Sequence, residues 1–174
     1  MCYNIAMSKL AVISDIHDNI PNLEKALSII KEEKIDYLIC TGDVQSIEAW
    51  QIIDNLNIPS WAVMGNVDHD ILGEENIRKQ IKNITLFPNV GTAEIENKQI
   101  FFAHYPQVVN KALPKSKKQY DLALYGHTHK PWEEKWRNTK ILCPGNIANI
   151  YFMPTFAIVN LDNLKAQLIL LNEK

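Results

Sequence analysis

Three short apolar runs, separated by stretches with helical spacing and closed by small polar residues, constrain this chain more than any other feature. Residues 10–13, 37–40 and 60–64 are too short for helices and aliphatic enough to be strands buried on both faces. After the first run, Pro21 opens a segment to about residue 34 in which Leu23, Ala26, Leu27 and Ile30 recur at helical spacing. A second helix is expected across residues 47–56. Strand, helix, strand, helix, strand is the pattern of parallel βαβ units.

The second half reads differently. Residues 90–96 and 99–104 flank Asn97-Lys98, a hairpin turn, and 122–125 form another short strand ended by Gly126. Strand candidates then crowd together at 132–136, 140–143, 155–161 and 166–171, with turn residues Arg137-Asn138 and Asp162-Asn163 between them. The expectation is an antiparallel second half joined to a parallel first half. No repeat, low-complexity tract or linker interrupts residues 1–174, so one α/β domain is expected.

Charge and cysteine content narrow the function classes. The 18 basic and 20 acidic side chains leave a formal charge of -2, which argues against a polyanion-binding surface. The basic cluster Lys115, Lys117 and Lys118 reads as solvated surface. Cys2, Cys40 and Cys143 form no CxxC pair, which fits a reducing compartment. No apolar stretch is long enough to span a bilayer. The opening MCYNIAMSKL lacks a leader pattern, with Met7 an alternative start, so a cytoplasmic location is expected.

The chemistry-bearing residues fall at strand ends. Asp15 and His17 follow the first run, Asp43 the second and Asn66 the third; His104 ends a later strand, and His127 and His129 follow 122–125. Ligands gather at the carboxyl ends of parallel strands, so these segments are expected to meet in one crevice. On an extended backbone, residues two apart point the same way, which would project Asp15 with His17 and His127 with His129. Taken singly, each piece has a plainer reading: Asp15 as a helix cap, Gly42-Asp43 and Gly65-Asn66 as turns, His104 as a hydrogen-bonded surface or core histidine. Four of the five histidines at strand ends, beside two acids and an asparagine, are hard to explain as packing.

Ser14-Asp15-Ile16-His17, Gly42-Asp43, Gly65-Asn66-Val67-Asp68, His104 and Gly126-His127-Thr128-His129 resemble, in order, the five blocks of calcineurin-like metallophosphoesterases. The short length resembles the small bacterial and archaeal phosphodiesterase branch. The resemblance implies an α/β fold, a four-layer αββα sandwich with two mixed β-sheets and flanking helices. It implies two divalent metal ions, the first held by Asp15, His17, Asp43 and His129, the second by Asp43, Asn66, His104 and His127, with Asp43 bridging. Asp43, Asn66, Asp68 and His104 are the implied catalytic group, Asp68 orienting the site. The implied reaction is in-line attack on a small phosphate ester by a hydroxide between the ions. Imidazole, carboxylate and amide donors suit Mn, Fe, Zn or Ni better than Mg or Ca, and family habit favours manganese.

Two departures bear on substrate range. Many family members carry a histidine where this chain has Val67, which cannot protonate a leaving group; His69 is either a substitute or a surface histidine. The branch's Pro-Gly-Ser turn is here Pro144-Gly145-Asn146, with Asn146 a candidate to bind phosphate or support a metal ligand. A phosphomonoesterase or nucleotide phosphatase is the alternative within enzymes. The alternative outside them is a non-catalytic scaffold like the retromer coat's cargo-binding subunit, which lacks part of the histidine set. Self-association is open, with Trp132 and Trp136 as interface or hairpin face.

Overall fold

The computed structural model describes residues 8–171; Cys2 and the alternative start Met7 lie outside the described residues. Two sheets form the frame. The six-stranded sheet runs in the order β11 (Ala166–Leu170), β10 (Thr155–Asn160), β1 (Lys9–Ile13), β2 (Tyr37–Cys40), β3 (Ser60–Val63), β4 (Ile84–Phe87). The five-stranded sheet runs β5 (Val90–Ile95), β6 (Lys98–Ala103), β7 (Leu122–Leu124), β9 (Thr139–Cys143), β8 (Trp132–Trp136).

Alternating side chains on β1 and β2 explain the layering. Ala11, Ile13, Leu38 and Cys40 face outward into a buried cluster with α1 (Ile20–Glu32), α2 (Ile47–Asp54) and Ile77 of α4 (Glu74–Gln80). Leu10, Val12, Ile39 and Val63 face the other way and meet Phe102, Leu122, Leu124 and Leu142 of the second sheet. A third cluster packs α5 (Pro106–Lys115) on the far side of that sheet through Val109, Leu113, Phe101, Ala123 and Ile141. Three apolar interfaces therefore separate four layers, helix, sheet, sheet and helix, as the resemblance implies.

The strand directions correct one expectation. Strands β1 to β3 are parallel, as read from the sequence, and β4 joins them in parallel, but the second half is not simply antiparallel: β6 pairs in parallel with β7, and β7 with β9. Parallel neighbours need a crossover, and α5 supplies the first one. Its start has a sequence signal, Pro106 at the first helical turn, but Pro114 near its end reads as a breaker. Helix α4 and strand β4 also went unread: α4 buries Ile77 alone, too little for a periodic signal.

Trp136 packs against the α5 cluster, whereas Trp132 stays 47% exposed. Among the described residues no helix is long and apolar enough to cross a membrane.

Candidate metal centre

The carboxyl ends of β1, β2, β3, β6 and β7 open on one end of the sandwich, and tight turns there aim the polar side chains inward. The Asp15 N–H donates to the Gly42 carbonyl at 2.9 Å, and the Gly126 N–H to that of His104 at 2.9 Å, stitching loops from neighbouring strands together. Asp15, His17, Asp43, His127 and His129 all have left-handed φ, between 44° and 66°. This corrects the extended-backbone expectation. Non-glycine residues in this region carry strain that persists only where surrounding contacts impose it.

The turns sort the side chains into two groups. Asp15, His17 and His129 form one and Asp43, His104 and His127 the other, with the donor atoms of each group within 4.8 Å of one another. His127 and His129, expected to project as a pair, go to different groups. Each group also combines residues from both sheets. Between the groups stands Asp43, whose Oδ2 lies 3.7 Å from His17 Nε2 and 3.4 Å from His104 Nε2.

The donor chemistry fits divalent cations. His17 Nε2 and His129 Nε2 are 3.2 Å apart, and His127 Nδ1 and His104 Nε2 are also 3.2 Å apart. Two imidazole nitrogens on one tetrahedral ion, with bonds of about 2.05 Å, sit about 3.3 Å apart. The far nitrogens are fixed by carbonyls. His104 Nδ1–H donates to Thr41 O at 2.8 Å and His129 Nδ1–H to Ile150 O at 3.3 Å, tautomers assigned from these bonds. Both Nε2 atoms are thereby turned toward the carboxylates of Asp43 and Asp15, at 3.4 and 3.3 Å.

Burial and charge set the titration of the group. Burial alone would raise the Asp43 pKa, but contact with His104, the Val67 N–H and the charge of His17 outweigh it and hold it below the ordinary value. Burial works to lower His104, yet Asp43 and Asp15 outweigh it and raise its pKa above 6.5. His129 is raised by its hydrogen bond to Asp15, against a burial penalty. His127 is lowered, by burial and then by His104.

Glycines mark the closest approaches. A Cβ on Gly65 would lie 2.0 Å from Asp43 Oδ1, and one on Gly126 would lie 2.0 Å from Ser14 Oγ. Behind the cage, Ser14 Oγ donates to Asp15 Oδ2 at 2.5 Å, and the His127 N–H donates to both oxygens of Asp15.

Other singled-out residues take distinct places. Asn66 begins a short helix, α3 (Asn66–Ile71), and its Oδ1 accepts the Tyr105 hydroxyl at 3.3 Å. Asp68 is fully buried and turns its carboxylate to the backbone, accepting N–H bonds from Val44, Gln45 and Gly65 at 2.9–3.0 Å. Burial raises its pKa despite these three donors. His69 points to the carbonyl of Pro88, at 2.8 Å, on the exposed side of its helix.

Asn146 is fully buried. Its Nδ2 donates to the carbonyls of His129 and Phe152, and its Oδ1 accepts the Ile150 N–H. It ties the segment around Ile150 to a histidine of the cage. Cys40 and Cys143 are buried; desolvation raises both thiol pKa values, Cys143 to about 11. Sequence reading missed Tyr105 and Tyr151, which flank the histidines; the available signal was an aromatic directly after His104 and an apolar run, 150–153, beyond Gly145.

A family model for the calcineurin-like phosphoesterase superfamily domain matches residues 8–164. A phosphodiesterase of Methanocaldococcus jannaschii, MJ0936, is 27% identical over 157 residues, covering 88% of this chain and 93% of that one. The solved structure of an archaeal phosphodiesterase superposes with a TM-score of 0.81 at 26% identity, covering 93% of this chain and 99% of that one. Vacuolar Protein Sorting 29 from Cryptosporidium parvum shares the fold, with a TM-score of 0.67 at 19% identity over 94% of this chain and 96% of that one.

Proposed function

Because the chain belongs to the calcineurin-like phosphoesterase superfamily, we propose that it is a phosphodiesterase working on a pair of divalent cations held by the two side-chain groups. The observation that carries this reading is the position of Asp43, one carboxylate facing imidazoles of both groups at 3.4 and 3.7 Å. Asp15, His17, Asp43 and His129 would hold one cation; Asp43, Asn66, His104 and His127 the other. When bound, the pair supplies Lewis-acid polarisation of the phosphoryl oxygens and a water acidic enough to ionise near neutral pH.

The chain's own residues do the rest. Thr41 and Ile150 carbonyls fix His104 and His129 in the ligating tautomer. Asp68 acts as a positioning residue, tying the Asp43 loop to the Gly65 turn. Asn66 offers a neutral oxygen, so the two carboxylates leave a positive surplus for an anionic ester. Val67 supplies no proton, which favours esters with good leaving groups. Manganese is the favoured metal, with iron, zinc or nickel also suited to these donors. A small phosphate ester is the proposed partner and the cytoplasm the proposed location.

The test is a metal-supplemented assay of bis(p-nitrophenyl) phosphate against p-nitrophenyl phosphate. We expect the diester to be preferred; preference for the monoester would establish the monoesterase alternative. The likeness to Vacuolar Protein Sorting 29 keeps a scaffold reading in view. The full donor set speaks against it, and metal binding without turnover of either ester would favour it.

A further inference from the structure

Two tyrosines flank the cage, and packing leaves both exposed to solvent, Tyr151 almost wholly. Tyr151 is 91% exposed, with φ at +63°, and its ring lies 5.9 Å from that of His129. A bulky residue rarely adopts that backbone conformation, and one that also leaves its ring in water gains nothing from the core in return. The segment is nonetheless held. The neighbouring Ile150 carbonyl accepts from His129, and buried Asn146 bonds His129, Ile150 and Phe152 together. Strain, exposure and a rigid tie to a cage histidine point to a ring kept in place for something outside the chain.

Tyr105 stands beside the other group. Its ring lies 4.5 Å from His127 and 5.0 Å from His104, both edge-on, and it is 37% exposed. Its hydroxyl donates to Asn66 Oδ1. One aromatic side chain thus adjoins each group of donors. Both remain open to a ligand seated over them.

We propose that Tyr151 and Tyr105 form an aromatic rim that receives a planar ring carried by the phosphate ester, making aromatic esters, nucleoside or simple aryl, the preferred substrate class. This rests on the phosphodiesterase reading. Stacking of a ring on an exposed aromatic is sequence-tolerant and contributes at least about fivefold in affinity per contact. The cage then orients phosphorus while the rim selects what is attached to it.

The experiment measures calorimetric Kd values of manganese-loaded protein for thymidine 5′-monophosphate, phenyl phosphate and methyl phosphate, with bis(p-nitrophenyl) phosphate turnover followed in parallel. Wild type should bind both aromatic monoesters more tightly than methyl phosphate. Tyr151→Ala should weaken the aromatic ligands at least about fivefold more than methyl phosphate, whereas Tyr151→Phe, which keeps the ring, should preserve the difference. Tyr105→Ala should act in the same direction, and Tyr105→Phe should not. A larger loss for the thymidine ligand would assign the rim to nucleobases, and equal losses to aryl groups in general. Turnover with ring-independent binding in every variant would overturn the rim alone. Absence of turnover would instead overturn the phosphodiesterase reading. Unchanged selectivity with a smaller solution assembly in Tyr151→Ala would assign this lip to contact between copies and also overturn the rim.

Discussion

Replacing Gly126 by alanine isolates how tightly the Asp15 turn is built. The added Cβ would lie 2.0 Å from Ser14 Oγ, 2.8 Å from Asp15 Oδ2 and 3.1 Å from Thr41 Oγ1. Ordinary contact needs about 3.4 Å or more, so Ser14 must move by more than an ångström. Ser14 is fully buried and its hydroxyl is committed to Asp15 at 2.5 Å, so it has nowhere to rotate. Overpacking costs roughly 1–3 kcal/mol, and losing a hydrogen bond to a charged group roughly 1.5–3 kcal/mol. Together these give about 2.5–6 kcal/mol, a Tm loss on the order of 10 °C for a chain of this size. Gly73→Ala is the control. Its φ is +74° with ψ at 149° and no atom lies within 4 Å of the added carbon, so it isolates backbone strain, roughly 1–3 kcal/mol. Thermal unfolding of metal-free protein, followed by circular dichroism, should rank Gly126→Ala well below Gly73→Ala. Equal Tm values for the two variants would refute the steric argument.

Three further outcomes are expected. Asn66→Asp should retain metal but lose at least about tenfold in kcat, because a third carboxylate cancels charge meant for the ester; equal turnover would count against the charge argument. In the metal-free protein His104 and His129 hold protons above pH 6.5. Metal uptake must therefore expel protons near neutrality, and affinity should rise with pH up to those raised values and fall as pH drops. Calorimetry in two buffers of different ionisation enthalpy reads this proton release, and none at pH 6.5–7 would contradict it. Asn146→Ala should cost about 2–4 kcal/mol, since three bonds of a buried amide are lost. Denaturant unfolding should show this, with faster hydrogen exchange at the Ile150 amide; an unaltered midpoint would rule it out.

Much of the candidate site was legible because its residues close short apolar strands, where local pattern and topology agree. Asp15, Asp43, His104 and His129 needed little more than that placement. The division of His127 from His129 was not legible, because it depends on left-handed turns that non-glycine residues adopt only under tertiary constraint. Directions in the second sheet were hidden for a related reason. Pro114 in α5 masks the crossover that sets β6 and β7 parallel. Asn146 shows the limit most clearly: its sequence position suggested either a contact with phosphate or support of a metal ligand, and its amide is in fact spent on three backbone groups, one of them the His129 carbonyl.

The mixed origin of the two donor groups has a mechanical consequence. Asp15, His17 and Asp43 hang from one leaf of the sandwich, and His104, His127 and His129 from the other. A cation seated in either group therefore acts as a clasp at the open end of the seam, adding to the apolar grip between Leu10, Val12, Phe102 and Leu124. Its binding energy becomes resistance to prying the leaves apart, growing with the logarithm of free metal concentration. Starved of metal, the protein should begin to unzip at this end.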